Sequence, residues 1–340
     1  MTASKLEKTI PFDQYSRQFQ VSAILDKLRA PDEQFTILDV GGYRGHTADF
    51  LTKDTVTVMD LYDVKDKNYV KGSALAMPFD DNSFDYVVSF DVLEHIPDKS
   101  RRDFVSECAR VSRNGVIICA PSKNPANQLA ERNLNELYKK LHAKPHEWLK
   151  EHIEYGIPDF DEIALFAQSH NYATIRFHSN KTELWVAIQE AIFLNSKYPL
   201  AATQLLQLNE FYNTHFKYDG GGSADSAYRS ILCCLKDSRA ITALSHDGPL
   251  NEAIDPVVEI KLRDKIANFN LSLVSKTTQL ADNYKELHEH EKKRAEDLHK
   301  HSEELWQTVN KLNAELSSRK LLRIAGSLKK KLQSNRSKSS

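Results

Sequence analysis

The chain has 340 residues, with 46 Lys and Arg against 47 Asp and Glu, and 41% of its residues are hydrophobic. That length suits one large domain with additions, or two domains, and a net charge near zero excludes the overall basic bias of a general nucleic-acid binder. No apolar run approaches the ~18 residues of a membrane-spanning helix, and the start "MTASKLEKTIPFDQY" lacks the apolar stretch of a secretory signal.

In chain order, the first expected element is a helix near 14–29, with Phe19, Ile24, Leu25 and Leu28 on one face. Strands are expected at 36–40 (TILDV), 55–59 (TVTVM), 85–90 (DYVVSF) and 115–120 (GVIICA). Helical patterns lie between them at 46–53, near 73–77 and at 98–112. Such alternation predicts parallel strands with crossover helices. Strands that are apolar almost throughout fit a sheet covered on both faces.

After Pro121 the pattern changes. Residues 125–152 read as helical, and another helix starts at Pro158–Asp159. A strand is expected at 172–178 and a long helical stretch at 182–212. The loop "DGGGSAD" (219–225) leads to a last strand, "AYRSILCCLK", and 238–257 reads as a linker. Cys108, Cys119, Cys233 and Cys234 form no C-x-x-C pair, and most lie in apolar runs. Buried free thiols in a reducing cytoplasm are expected.

From 258 to 318 the chain is rich in Lys, Glu, His and Leu. Ile266, Phe269, Leu273, Leu280 and Leu287 keep a seven-residue frame, as do Leu305, Val309, Leu312 and Leu316. The frame slips between Leu287 and Leu298, and polar Lys276, Asn283 and His290 fall at core positions. This predicts a weak or adaptable coiled coil, through which the chain self-associates or takes a partner. The alternative is a solvated helix packed on the rest of the chain. The tail 319–340 carries Lys320, Arg323, Lys329, Lys330, Lys331, Arg336 and Lys338 with Leu321, Ile324, Leu328 and Leu332 at helical spacing. An anionic membrane surface, a disordered basic tail and nucleic-acid contact all fit that composition, in that order of preference.

The chemistry-bearing stretch begins at "ILDVGGYRGH" (37–46). Gly41, Gly42 and Gly45 miss the G-x-G-x-x-G spacing of a dinucleotide turn. Asp39, just before them, would repel a pyrophosphate and suits a cationic or amine-bearing ligand. Asp60 follows about 20 residues later, at the end of the second strand, where an acid accepts ribose hydroxyls or caps the next turn.

Together with "VKGSALAMPFDDNSFDYVVSFDVLEHIPD" (70–98), these motifs resemble the class I S-adenosylmethionine-dependent methyltransferases. The resemblance covers roughly residues 12–236. It implies a Rossmann-like, doubly wound α/β fold with a seven-stranded sheet over 1–237, a helical lid insertion at 125–160, and S-adenosyl-L-methionine as cofactor. By the same resemblance, Asp39 and Gly41 lie at the methionine amino group, Gly42 belongs to the cofactor-binding turn, and Gly45 permits close backbone approach. Asp60, with Leu61 beside it, holds the ribose. Ser73 and Ala74 flank the adenine, and Asp91 and Val92 line the sulfonium region. His95 faces the substrate side, and Arg17 caps the cofactor carboxylate or is a surface arginine. Tyr43 replaces a family glycine, and Ser73 stands where an acid usually meets adenine. Tyr43 packs over the methionine end of the cofactor or marks a loosened site.

"APSKNPANQLAERNLNELY" and "HEWLKEHIEYGIP" are similar to the lid of a subgroup. Glu131, His146, Glu151 and His152 are therefore substrate-side candidates, or else ordinary polar residues on insertion helices. His152 and His95 are the expected catalytic bases for transfer to an oxygen. No metal is expected, since no H-E-x-x-H or comparable spacing occurs. A methyltransferase with a coiled coil and a basic end resembles bacterial enzymes of surface polysaccharides at the inner membrane face. The expected acceptor is a glycan or glycan precursor. Alternatives are a small-metabolite O- or N-methyltransferase, and a non-catalytic scaffold that presents the coil. The expected location is the cytoplasm, with peripheral membrane contact through the tail and no specific nucleic acid.

Overall fold

The computed structural model describes residues 3–43, 45–197, 199, 201–220, 222–246 and 254–336. Contacts divide the chain into two compact units, Met1–Val274 and Ser275–Ser340.

The first unit begins with helices α1 (Ala3–Thr9) and α2 (Phe12–Leu28). Strand β1 (Thr36–Val40) follows, then the single turn α3 (Thr47–Phe50), β2 (Thr55–Asp60) and β3 (Tyr69–Lys71). Next are β4 (Phe84–Phe90), α4 (Arg101–Val111) and β5 (Ser112–Pro121). Helices α5 (Pro125–His142), α6 (Glu147–Tyr155) and α7 (Phe160–Ser169) precede β6 (Ala173–Lys181). Helices α8 (Thr182–Lys197) and α9 (Ala202–His215) lead to β7 (Ala227–Leu235). Helix α10 spans Ser238–His246, and α11 spans Pro256–Arg336.

The strands form one sheet in the order β3-β2-β1-β4-β5-β7-β6. All neighbours are parallel except β7, which runs antiparallel to both β5 and β6. The doubly wound fold expected from the sequence is therefore present. Period-two alternation divides each central strand between two cores. Leu38, Val87, Val116 and Ile118 face one core with Phe104, Phe160 and Ile163. Ile37, Val88, Ile117 and Ile231 face the other with Val21, Ile24 and Leu25 of α2. All four cysteines are buried and free. Burial pushes their thiols up, that of Cys234 to about 12.

Helix ends follow local chemistry. Asn124 accepts from the Asn127 N–H with Pro125 in the first turn of α5, and Asp159 accepts from two N–H groups at the start of α7. A third core lies among α5, α6, α8 and α9, with Leu134, Leu149, Ile188 and Tyr212. Leu262, Ile266, Phe269 and Leu273 of α11 are buried in it.

The structure departs from the sequence reading in several places. Residues 73–77 form a tight turn closed by a Ser73–Ala76 bridge, not a helix. Glycine and the Met77–Pro78 end leave too few residues there for a helical turn to propagate. Strand β3 is too short to show a period. Residues 238–246 form a helix that buries Leu244 against the sheet, and 247–253 lie outside the described residues. The side chains of Leu280, Leu312, Leu316 and the basic tail also lie outside them.

Candidate active site

The chain leaves β1 toward β2 on one side and reaches β4 on the other. Open α/β sheets bind ligands in the crevice that this reversal opens beyond the strand ends. At the end of β1, Gly41 turns with φ +79° and donates its N–H to Met59 O at 2.8 Å. A Cβ on Gly41 would stand 2.2 Å from Val92 Cγ2, and one on Gly42 would stand 2.2 Å from Asp39 Oδ2. The turn therefore forms a cradle that admits no side chain at these two positions.

Beneath the turn, Asp39 is buried. Its Oδ2 accepts from Thr47 Oγ1 at 2.5 Å, while Oδ1 has no hydrogen-bond partner. Burial pushes its carboxyl up to about 6, against the opposing pull of Thr47 and Arg17. Arg17 Nε is likewise buried without a partner. One open acceptor and one open donor within electrostatic reach of each other match the ammonium and carboxylate of an amino-acid group.

A cavity of about 350 Å³ opens beside the turn. Two arginines and two aspartates form its floor. Asp91, at the end of β4 with φ +50°, pairs with Arg17 and with Arg229 Nη2 at 2.6 Å. Asp13, one helical turn before Arg17, pairs with Arg17 at 3.1 Å and with Arg229 at 2.8 Å. Burial alone would raise the Asp91 carboxyl, but Arg17 and Arg229 hold it well below the usual carboxylate range. Removing one partner of such a buried set costs about 3–5 kcal/mol, because it leaves a charge uncompensated.

Glu94 and His95, from a short 3-10 turn after β4, and His152 of α6 form the inner wall. His152 Nδ1 lies 3.0 Å from Glu131 Oε1, which also accepts from the Tyr228 hydroxyl at 2.8 Å. His95 Nδ1 lies 2.7 Å from Glu151 Oε2. The two Nε2 atoms face each other at 3.4 Å. Burial and then Asp91 push the Glu94 carboxyl up to about 8. Burial and His152 lower the His95 imidazole. Burial would lower His152 too, but the Glu131 hydrogen bond and the surrounding carboxylates raise it. The outer wall is aromatic: Trp185 stacks on Tyr228 at 3.4 Å, and His146 stacks on Phe193 at 5.1 Å, with exposed Trp148 at the mouth.

The residues expected from the sequence divide into groups. Arg17, Gly41, Asp91, His95 and His152 line this cavity, and His146 joins them. Gly42 and Gly45 line a second, shallower space of about 540 Å³ with Tyr43, Asp63 and Tyr69. Val92 packs under Gly41. Asp60, Leu61, Ser73 and Ala74 stand outside the cavity at the ends of β2 and β3, with Leu61 69% exposed. Asp60 accepts from the N–H groups of Leu61 at 2.6 Å and Tyr43 at 3.1 Å. The Tyr43 ring stacks on Tyr62 at 4.6 Å, so it bridges the glycine turn and the residues after Asp60. Sequence reasoning missed Asp13, Glu94, Tyr228 and Arg229. Arg229 left a signal, since an arginine inside the apolar run "AYRSILCCL" must be paired if the strand is buried. Asp13 left another, at helical spacing from Arg17.

The strand order, with its antiparallel β7, and an acid rather than a phosphate-binding spacing under the glycine turn define a class of protein, the class I S-adenosylmethionine-dependent methyltransferases. Residues 38–120 match the model of a methyltransferase domain, and the domain they form belongs to this family, with S-adenosyl-L-methionine as its cofactor. The chain is 31% identical over 121 residues to a demethylmenaquinone methyltransferase of Staphylococcus carnosus (strain TM300), a match that covers 32% of the chain and 49% of that protein. The chain thus spans about half the length of this curated relative. Among solved structures, phosphoethanolamine N-methyltransferase 2 of Haemonchus contortus, in complex with S-adenosyl-L-methionine, is 18% identical with a TM-score of 0.39, over 63% of this chain and 51% of that one. The [4+2]-cyclase SpnF is 14% identical with a TM-score of 0.41, over 64% and 80%.

Proposed function

We propose that the protein transfers a methyl group from S-adenosyl-L-methionine to a hydroxyl oxygen of a glycan or glycan precursor. The observation that carries the reading is the pairing, in one cavity, of the Gly41 cradle and Asp91 with a wall of Glu94, His95 and His152. The cofactor supplies a methyl group on a sulfonium, which is reactive toward a nucleophile held in line. The chain's own tasks are then to bind, align and exclude water. Asp39 and Arg17 take the amino-acid end of the cofactor, Asp60 takes its ribose, and Ser73 and Ala74 take its adenine. Two imidazoles within hydrogen-bond distance of each other suit an acceptor that must lose a proton, and His152, with His95 beside it, receives that proton. The aromatic side offers flat apolar surface to a ring.

Self-association through the helix beyond Val274 and contact of the basic tail with an anionic membrane belong to the same reading. Several tails joined by a coil would hold a membrane through avidity where one is marginal.

The test is turnover by the His95→Ala/His152→Ala double variant on oligosaccharide acceptors. Methyl transfer falls by about 10²–10⁴-fold for loss of a general base, while cofactor binding and the far-ultraviolet circular dichroism persist. Unchanged turnover removes both imidazoles from the chemistry. Turnover on a naphthoquinol, with none on oligosaccharides, replaces the glycan by the substrate class of the Staphylococcus carnosus relative.

A further inference from the structure

Glu94, His95 and His152 each offer one ligand atom, and these atoms lie within 4.8 Å of one another, the one such group of three among the described residues. Each imidazole turns Nδ1 to a carboxylate, His95 to Glu151 and His152 to Glu131. An ionised carboxylate only accepts, so each Nδ1 carries its hydrogen, and when both imidazoles are neutral each Nε2 presents a lone pair. Those two lone pairs point toward one another at 3.4 Å. They repel unless a proton or a metal cation stands between them.

Glu94 supplies the second, independent sign. It is fully buried, neither carboxylate oxygen has a hydrogen-bond partner, and Oε1 lies 4.0 Å from His152 Nε2. A buried carboxylate without a partner is costly. A cation at the meeting point of the three atoms removes both that cost and the lone-pair repulsion.

We propose that Glu94, His95 and His152 bind one divalent transition-metal cation at the acceptor end of the cavity. The spacing fits: with bonds of about 2.1 Å, neighbouring ligands of a tetrahedral site stand about 3.4 Å apart, the observed separation of the imidazole nitrogens. Glu94 Oε1 stands 4.0 Å from His152 Nε2 and the three ligand atoms span up to 4.8 Å, so the Glu94 carboxylate closes in by about 0.6–1.4 Å to complete the set. Two imidazoles and one carboxylate favour zinc, iron, cobalt or nickel over magnesium or calcium. Glu131 and Glu151 are the outer carboxylates that fix the ring orientation in metal-bound histidines, and Tyr228 orients Glu131 in turn. All three ligands line the cavity, so the open side of the cation faces the acceptor, whose hydroxyl oxygen is the donor class that completes the set. With the cation bound, both Nε2 lone pairs are taken and His152 no longer receives the acceptor's proton; the cation would instead acidify the acceptor hydroxyl, whose proton would pass to solvent. The cluster is hidden in the sequence because His152 stands 57 residues from His95.

The inference rests on the geometry of the wall and deepens the acceptor side of the proposed function. The full-length protein is stripped with a chelator and titrated with Co²⁺ alone. The wild type binds one equivalent at this site, with a visible absorption band and a rise in melting temperature. Glu94→Gln and His95→Gln each lose that equivalent and the rise, and Glu151→Gln binds about 10–100-fold more weakly. Two ligand variants are used so that one still reads if the other fails to fold. A variant without His288, His290, His299 and His301 of α11 controls for surface binding, and it keeps the equivalent. The proposal is overturned if Glu94→Gln and His95→Gln bind Co²⁺ as the wild type does, or if the α11 variant abolishes all binding. Titration of S-adenosyl-L-methionine into the stripped wild type separates the outcomes: cofactor binding there leaves the methyltransferase reading standing whatever Co²⁺ does.

Discussion

Asp39 makes the glycine turn sensitive to pH. It is buried under the glycine turn and faces Arg17 from α2, Asp60 from β2 and the Thr47 hydroxyl of α3. Its carboxyl is raised from 3.8 to about 6, burial being the largest cause. A raised folded value gives stability that is fully present below about pH 4 and lost as pH rises through about 6. Two pH units correspond to about 3 kcal/mol at most. If Asp39 takes the cofactor's ammonium as proposed, binding reverses the preference, because an ammonium favours the ionised carboxylate. Cofactor affinity should therefore strengthen from pH 5 to about 6 and level off above. Calorimetry at a series of pH values checks this against Asp39→Asn, in which the rise should disappear. The comparison cancels other titrations of the site, and an equal rise in both proteins removes Asp39 from cofactor recognition.

At the scale of elements, the long helix α11 has two environments. Leu262, Ile266, Phe269 and Leu273 are buried in the core among α5, α6, α8 and α9, whereas Leu287, Leu298, Leu305 and Val309 are exposed. Phe269→Ala should cost about 3–5 kcal/mol of the first unit's stability, as for other large-to-small core changes. Leu298→Ala should cost less than about 0.5 kcal/mol in the isolated chain. Urea melts of the two variants measure the contrast. The same residues show what the sequence concealed. Ile266, Phe269 and Leu273 keep a heptad frame with Leu280 and Leu287, yet in this chain they fill a core, because a helical stripe fits either partner. The central strands were legible through near-continuous apolar runs, and the glycine turn through Asp39 and Asp60. Strand β3 was too short for a period, and α10 followed a polar start that imitates a linker. The charged floor needed tertiary contacts, since Arg229 meets Asp91 across 138 residues of sequence.

At the scale of the whole molecule, the chain joins a methyltransferase domain to a helical segment whose exposed leucines have no partner within the described residues. None of its described helices is long and apolar enough to cross a membrane. If the segment beyond Val274 forms a coil, light scattering should give at least twice the chain mass. Leu298→Asp with Val309→Asp should return the monomer without loss of cofactor binding. A monomeric wild type at all concentrations leaves the coil without support. The central claim is that the crevice beyond β1 and β2 holds S-adenosyl-L-methionine, and calorimetric titration of the cofactor into wild type and Asp60→Ala tests it most directly. The account predicts one saturable equivalent in the wild type and affinity at least about tenfold lower in the variant, the loss of about 1.4 kcal/mol or more. No binding by folded wild type, or equal affinity in both proteins, contradicts it.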